Sequence, residues 1–343
     1  MTADDSAADG PRRGDQKSVS VQFLRAVLRH TLGAGVDPLP LLRRQRIPPR
    51  LLQERQARIS VQQFADLQTH TMRAMHDESL GYAPRRIPLG SWDMMCHAVI
   101  NSATLGSALH RYCRFFQLFE ERLPIRLETQ GELATLHLHS RCSARGPYFA
   151  ELALLNTHRF ACWLVQEELP LRAVRFAGPS TAAPGEYRQV FLANPVSFNS
   201  GEISLALHAR LLDKPVTQSA DSLGRYLRHP TLAMLTQVYD HSWTARVRRL
   251  LRRDLARMPE LPQVAAGLDL HPQTLRRRLA AEGTTFKQLK SDLRRDTALH
   301  YLGKRALSVE EVAYRAGFSE ASAFIRAFKS WTGVTPYAYR KGL

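Results

Sequence analysis

The sequence predicts an α+β N-terminal domain followed by an all-α C-terminal domain, in which two helix-turn-helix units are joined by a helix. The first observation behind this prediction is length, because 343 residues exceed the roughly 100–200 residues of a typical domain. The second is a change in the spacing of apolar residues: the first two thirds contain both alternating and helical spacings, whereas the last third has helical spacing almost throughout. The third is an internal repeat, since the pattern at Val264-Ala265 recurs 48 residues later at Val312-Ala313.

The N-terminal domain is predicted to span residues 19–212, after a polar leader. Residues 1–18 contain four aspartates and no apolar stretch, which excludes a secretory signal and predicts a disordered leader. Helical spacing of apolar residues predicts helices over residues 20–35, 104–120 and 148–169 and from Ser60 onwards. Asp37-Pro38 predicts the start of another helix, which Pro48-Pro49 ends. Alternation predicts a β-hairpin around Gln130-Gly131 and three further strands, over residues 123–140, 171–177, 189–192 and 203–207. We therefore expect helices and a small antiparallel sheet.

Motifs of catalysis and cofactor binding are absent from the sequence. No nucleophile elbow, phosphate-binding loop or dinucleotide fingerprint occurs, so neither a cofactor nor an enzymatic activity is expected. The four cysteines lie far apart and form no CxxC pair, which speaks against a disulfide framework or a zinc site and suits a reducing cytoplasm. They are Cys96, Cys113, Cys142 and Cys162. No run of 18 apolar residues occurs, so no membrane span is expected.

Two sets of N-terminal residues allow a binding role, and for both sets a structural role is favoured. His137 and His139 alternate on one predicted strand, a spacing that a metal ion could use. Four large side chains could line a ligand pocket or pack in a core: Trp92, Tyr148, His158 and Trp163. We assign no metal ligands and leave the ligand-binding residues unknown.

Positive charge is concentrated in the C-terminal third. The chain holds 48 Lys and Arg against 31 Asp and Glu, a formal net charge of +17. Residues 241–343 account for 20 of these basic and 9 of these acidic residues. Such an asymmetry is typical of a module that binds a polyanion, because neutralising phosphates releases condensed counterions.

The C-terminal domain is predicted to cover residues 229–343, after a linker at 213–228. Its helix-turn-helix units lie at about 261–282 and 308–332. Each turn needs a residue that tolerates positive φ, which Asp269 and Gly317 provide. Ser308 and Glu311 form a capping box that starts the second unit, and Ser319 is a suitable N-cap for its second helix. A helix from Phe286 to Leu302 would hold the two units at a fixed separation.

These features resemble the AraC/XylS family of transcription regulators. The motifs that carry the resemblance are Gly317-Phe318-Ser319 at the second turn and Thr335-Pro336-Tyr337-x-x-Arg340 near the end. Residues 21–210 resemble more loosely the effector-sensing domain that accompanies this module in one large subfamily, notably around Thr104–Leu109 and Arg111-Tyr112. The resemblance implies a cytoplasmic activator that binds double-stranded DNA and a small-molecule effector, forms a homodimer and has RNA polymerase as a partner.

The resemblance also implies which residues contact DNA. The second helix of each unit would lie in the major groove, about 34 Å from the other along the DNA. Outward positions of the two recognition helices supply the base-contact residues: Gln273, Arg276, Arg277, Ser322 and Arg326. Gln can read adenine and Arg can read guanine with paired hydrogen bonds. Arg278 and Glu320 also lie on these faces, and a phosphate contact is the alternative role of Arg278.

Two other functions remain open at this point. A DNA-repair enzyme could use the same DNA-binding module, but it would need a nucleophilic cysteine in an electropositive setting. Cys113, within His110–Arg114, is the candidate, although it falls on the apolar face of its predicted helix. An architectural protein that binds DNA without an effector is the third reading, and it would not need a domain of about 200 residues.

Overall fold

The structure is a computed structural model that describes residues 18–118, 125–139, 144–183, 186–187, 191, 196–236, 243–253, 255, 258–282, 284–303 and 307–341. Two compact units make up the chain. The sheet unit comprises residues 22–41 and 67–239, and the helical unit comprises residues 1–21, 42–66 and 240–343. The predicted leader, apart from Ser18, lies outside the described residues.

The sheet unit contains helices and a five-stranded sheet. Its helices are α1 (Val21–Leu28), α2 (Pro38–Arg44), α3 (Val61–Met75), α4 (Ser91–Val99), α5 (Leu105–Gln117), α6 (Tyr148–Val165), α7 (Ala220–Leu227) and α8 (Pro230–Thr236). Helices α1, α2 and α3 each cross a boundary between the two units. Thr104 caps α5, accepting a hydrogen bond from the Ser107 backbone N–H at 3.3 Å. α6 is mostly buried, and its buried residues include the polar side chains of Glu151, Thr157 and His158 as well as apolar ones.

The sheet follows the order β3-β4-β7-β5-β6. Its strands are β3 (Ile125–Gln130), β4 (Leu133–Leu138), β5 (Leu171–Arg175), β6 (Val196–Ser197) and β7 (Ile203–His208). The predicted hairpin is confirmed, with Gln130 opposite Leu133 across Gly131. The sheet is antiparallel except for β6, which pairs parallel to β5. The strand candidate at 189–192 lies mostly outside the described residues, and Phe191 is helical.

The helical unit holds the C-terminal helices and a short two-stranded sheet. The strands β1 (Ser18–Ser20) and β2 (Arg58–Ser60) pair antiparallel. The helices are α9 (Trp243–Arg253), α10 (Leu261–Ala266), α11 (Pro272–Ala281), α12 (Phe286–Leu302), α13 (Val309–Arg315), α14 (Ala321–Thr332) and α15 (Pro336–Lys341). Leu275, Leu279 and Leu289 belong to one continuous buried core with α9 and α10.

The small sheet packs against α12 through a buried polar network. Arg295 on α12 donates from Nε to the hydroxyl of Ser18 at 3.0 Å. It also pairs with Asp292 at 3.0 Å and with Asp296 at 3.1 Å. Arg58 of β2 donates to the same Ser18 hydroxyl at 2.9 Å. Because both carboxylates are buried, Arg295 supplies the charge that their burial requires.

The compact units divide the chain differently from the two consecutive segments expected from sequence. Residues 18–21 and 42–66 belong to the same unit as the C-terminal helices. The segment 213–228, expected to be a linker, contains the regular helix α7, which Ser219 and Ser222 cap. Two of the polar residues that favoured a linker, Ser219 and Ser222, form the capping box of this helix.

Candidate nucleic-acid interface

The first helix-turn-helix unit consists of α10, a tight turn and α11. Asp269 adopts φ of 55° in the turn, as the sequence predicted for this position. The backbone N–H of Leu270 donates to the Ala265 carbonyl at 3.0 Å and closes the turn. His271 caps α11 through Nδ1, which accepts from the Gln273 backbone N–H at 3.3 Å. Pro272 then begins the helix, where its missing N–H costs nothing.

The second unit repeats this arrangement with α13 and α14. The predicted capping box is confirmed, since Ser308 accepts from the Glu311 backbone N–H at 3.0 Å and Glu311 accepts from the Ser308 N–H at 2.6 Å. Gly317 has φ of 79°. The prediction that Ser319 caps α14 is wrong: the N-cap position falls one residue later, at Glu320, whose side chain makes no capping hydrogen bond. The turn is therefore one residue longer than expected.

Helix α12 connects both units, as its sequence predicted. Four side chains predicted to face inward are buried: Phe286, Leu289, Leu293 and Leu299. Polar contacts add to this core. Lys290 donates to the Met258 carbonyl at 3.2 Å and to Glu260 at 2.7 Å, just before α10. Arg294 donates to the Gly317 carbonyl at 2.9 Å, and its guanidinium lies 4.8 Å from the centre of the Phe318 ring.

The predicted base-contact residues form exposed faces on the two recognition helices. On α11, Gln273, Arg276 and Arg277 are exposed, while Leu275 and Leu279 are fully buried on the opposite side. On α14, Ser322 and Arg326 are exposed, and Phe324 and Phe328 are buried. The faces therefore have the orientation that a groove-binding helix requires. The long donors are concentrated on α11.

Arg278 differs from its neighbours because its guanidinium is held in place. It lies 4.0 Å from the centre of the Trp243 ring, and the Arg246 guanidinium lies 4.3 Å from the same ring. Glu282 fixes the start of α9, accepting from the backbone N–H groups of Trp243 and Thr244 at 2.7 and 2.8 Å. Cation–π contacts of this kind orient a guanidinium without neutralising it. Sequence reasoning missed Trp243 and Glu282; the sequence signal for this arrangement is the group of arginines that follows Trp243, at Arg246, Arg248 and Arg249.

Glu320 at the end of the second turn contacts its own helix. Its carboxylate accepts a hydrogen bond from the Ser322 hydroxyl at 3.3 Å. Both side chains are exposed. Ser322 is thus already engaged by a carboxylate, which reduces its capacity to select a base.

The four residues considered as pocket-lining contact partners within the sheet unit. Trp92 and Trp163 both contact Phe160, with ring centres 5.5 and 5.7 Å away. Tyr148 instead donates to Gln68 at 2.7 Å. His158 is buried and bonds to the Leu169 carbonyl at 2.9 Å. Burial, with the nearby charge of Arg159, lowers the pKa of His158 to about 3, so the imidazole is neutral.

The repair-enzyme alternative finds no support in the residue proposed for it. Cys113 is buried, and burial raises its pKa to about 12, the opposite of an activated thiolate. Cys96 and Cys162 are also buried, whereas Cys142 lies outside the described residues. Across the described ranges no cluster of three or more His, Cys, Asp or Glu side chains is placed to hold a metal ion. No helix in those ranges is long and apolar enough to cross a bilayer.

Comparisons with known proteins match both parts of the chain. The family described as "Arabinose-binding domain of AraC transcription regulator, N-term" matches residues 35–216, and a helix-turn-helix domain family matches residues 264–342. The Ornithine utilization regulator of Pseudomonas aeruginosa is 29% identical over 94% of this chain and 96% of its own length. The regulator VirS of Mycobacterium tuberculosis is 28% identical, covering 89% of this chain and 91% of its own.

Among solved structures, the transcriptional regulator CdpR from Pseudomonas aeruginosa is 25% identical, with a TM-score of 0.30 over 88% of this chain and 96% of that chain. The N-terminal family match alone spans more than half of the sequence. The turns, caps and exposed helix faces of residues 261–332 are those of two helix-turn-helix units, within the region that the second family covers. The chain belongs to the AraC family of transcription regulators and is a DNA-binding regulator with an N-terminal domain of the effector-binding type.

Proposed function

We propose that the chain reads an asymmetric DNA site by placing α11 and α14 in successive major grooves. The observation that carries this proposal is the exposed polar face on each recognition helix, with α12 bonded to the residue before α10 and to the turn before α14. In this arrangement Gln273, Arg276 and Arg277 make the discriminating base contacts. Arg326 makes the principal long-reaching contact of the second unit, and Ser322 contributes little. Arg278, stacked on Trp243, contacts backbone phosphate.

We further propose that residues 19–212 bind a small effector and pair two subunits, while residues 229–343 bind DNA. Effector binding shifts the population of the chain that binds DNA productively. A dimer gains affinity on tandem sites because the second contact becomes intramolecular. One relative carries ornithine utilization in its name, and a small metabolite is the class of effector proposed for this chain.

The chain acts in the cytoplasm as an activator that contacts RNA polymerase, and it catalyses no reaction. The family membership supports a regulatory role. The burial of the candidate nucleophile Cys113 supports the absence of repair chemistry.

Selection from a random duplex library with the full chain tests the DNA-binding proposal. We expect the wild-type chain to enrich one asymmetric sequence and Arg276→Ala/Arg277→Ala to enrich none. Sedimentation equilibrium of the full chain at micromolar concentration, with and without the selected duplex, tests pairing. A monomer under both conditions would refute the dimer, whereas failure to enrich any sequence would refute sequence-specific reading.

A further inference from the structure

Two arginines of the helical unit stack on one aromatic ring. The guanidinium of Arg246 on α9 lies 4.3 Å from the centre of the Trp243 ring, and that of Arg278 on α11 lies 4.0 Å from the same point. All three side chains are half-buried. The ring therefore holds two positive charges close together at the contact between α9 and α11.

These two charges are not neutralised within the described part of the chain. A third arginine of α9, Arg248, pairs with Asp292 at 3.9 Å, whereas no carboxylate of the described residues forms an ion pair with Arg246 or Arg278. The carboxylate of Glu282 accepts instead from two backbone N–H groups at the start of α9, at 2.7 and 2.8 Å. Like charges repel at short range, so an anion bound between the two arginines would remove an unfavourable interaction.

Arg278 lies at the flank of the exposed face of α11. Successive residues of an α-helix are about 100° apart, which places Arg278 to one side of the exposed Arg277, while Leu275 and Leu279 are buried. A helix with its side chains is about 10–12 Å across, and the major groove is about 12 Å wide. A side chain at the flank of a helix in that groove therefore meets the groove wall, which consists of sugar and phosphate.

We propose that Arg246 and Arg278 together bind one phosphate group of the DNA backbone, and that Trp243 positions both guanidiniums. The inference rests on the proposed function, because it requires α11 to lie in the major groove, and it adds Arg246 and Trp243 to the DNA-binding residues. A backbone phosphate carries two unesterified oxygens, one for each arginine. Charge-assisted hydrogen bonds of about 2.7–2.9 Å to these oxygens are the contacts that guanidinium groups favour.

The competing role for Arg246 is structural. It lies three residues after Trp243 on the same helix, where its alkyl stem can cover the ring and stabilise α9 alone. Salt dependence separates the two roles, because a phosphate contact releases counterions from DNA and a contact within the protein does not.

Arg246→Gln and Arg278→Gln each remove one charge from the site. The matched control is Arg172→Gln, which removes one charge from an exposed position of β5 in the sheet unit. Affinities of the full chain are measured at several salt concentrations for the selected duplex and for a scrambled duplex of the same length. We expect each site variant to lose about three- to tenfold in affinity for both duplexes and to show a salt slope shallower by up to about 1. The control should match the wild type.

A scan of the selected duplex with single methylphosphonate linkages, each of which removes one backbone charge, locates the phosphate. We expect one linkage at which the wild-type chain and Arg172→Gln both lose at least about fivefold in affinity. Arg246→Gln and Arg278→Gln should both be less sensitive at that same linkage, and the double variant should be insensitive there. A shared linkage is the signature of one phosphate held by two arginines.

Trp243→Phe and Trp243→Leu test the positioning role. Phenylalanine keeps an aromatic face for both guanidiniums, and we expect this variant to retain the sensitive linkage. Leucine removes the π face, and this variant should lose about as much affinity as Arg246→Gln for both duplexes. The ratio of the two affinities should stay at the wild-type value in both variants, which also shows that α11 remains folded.

The inference is overturned if Arg246→Gln binds both duplexes with wild-type affinity and salt slope. It is also overturned if the two arginine variants lose sensitivity at different linkages, or if no linkage is sensitive in the wild type. Enrichment of a sequence by the wild-type chain would leave the proposed function intact in each of these cases. Failure to enrich any sequence would instead refute the proposed function.

Discussion

Lys290 and Arg294 lie one turn apart on α12 and contact different helix-turn-helix units. Lys290 reaches the residues that precede α10, and Arg294 reaches the carbonyl of Gly317 in the second turn. Two consecutive turns of one helix therefore set the positions of both units. The separation of the recognition helices, on which reading two successive grooves depends, is fixed partly by these two side chains.

Arg294→Met should destabilise the helical unit more than Lys290→Met. The first change removes a charged hydrogen bond to a backbone carbonyl and a contact with the Phe318 ring, worth about 1–3 kcal/mol. The second removes an ion pair with the exposed Glu260, worth about 0–1 kcal/mol, and a hydrogen bond to the Met258 carbonyl that is longer than that of Arg294, at 3.2 Å against 2.9 Å. Urea unfolding of both variants measures the difference. Equal losses would show that Arg294 does not hold the second turn.

Gly317→Ala should lower the free energy of unfolding by at least about 2 kcal/mol. The residue has φ of 79°, and an added Cβ would lie 2.6 Å from the Leu255 carbonyl oxygen. Gly267→Ala is the matched control in the first unit, because its φ is −67° and its nearest new contact is at 3.5 Å. The control should be neutral or stabilise by up to about 1 kcal/mol. Urea midpoints of the two variants, compared with the wild type, decide between these expectations.

The two recognition helices should contribute unequally to specificity. Losing a paired base contact costs about 1–3 kcal/mol at one base pair, whereas losing a phosphate contact weakens all sequences alike. Arg276→Ala/Arg277→Ala should therefore abolish most of the discrimination between the selected duplex and a scrambled one. Ser322→Ala should change that ratio little, and Arg326→Ala should have an intermediate effect.

Titrations of both duplexes at one stated salt concentration measure these ratios. Arg278→Ala provides the internal reference, because a phosphate contact should lower both affinities by a similar factor and flatten the salt dependence. If Arg276→Ala/Arg277→Ala behaves in the same way as Arg278→Ala, the two arginines hold phosphate and the base-reading assignment fails.

The sheet unit should lose stability in mild acid because of His158. Burial lowers its pKa to about 3, so below about pH 6.5 the unfolded chain binds a proton that the folded chain excludes. Stability contributed by the neutral imidazole is complete above pH 6.5 and is lost as the pH falls towards 3, by at most about 1.4 kcal/mol per pH unit. His158→Gln keeps a donor for the Leu169 carbonyl and should flatten this slope.

Unfolding free energies at several pH values between 4 and 7 test the assignment. Burial raises the pKa of Glu151, which gives a slope of opposite sign, but that contribution is common to wild type and variant and cancels in the difference. Identical slopes for wild type and His158→Gln would contradict the prediction.

Short sequence patterns predicted correctly those helix caps and turns that depend only on residues near one another in the chain. The capping box of Ser308 and Glu311, the positive φ at Asp269 and Gly317, and the hairpin at Gly131 all depend on residues a few positions apart. The exposed faces of α11 and α14 follow from apolar periodicity in the same way. The position of the cap at Glu320, one residue beyond Ser319, depends on how the turn packs, which no short pattern encodes.

Long-range polar contacts were beyond the reach of sequence patterns. Nothing near Glu151 in the chain signals that the Tyr187 hydroxyl donates to it, since 36 residues separate the two. The stacking of Arg278 on Trp243 joins α11 to α9 and is invisible to helical spacing. The parallel pairing of β6 with β5 likewise depends on the path of the whole segment between these strands.

The network around Ser18 limits how this regulator can be re-engineered. A chimaeric biosensor that joins a foreign sensing domain at residue 229 would discard β1 and β2 along with the native N-terminal region. Arg295 would then lose its hydrogen bond to Ser18. Asp292 and Asp296, which are buried in the native chain, would become more exposed to solvent. A transplantable DNA-reading cassette from this protein must therefore carry two pieces of its own N-terminal sequence, residues 18–21 and 42–66.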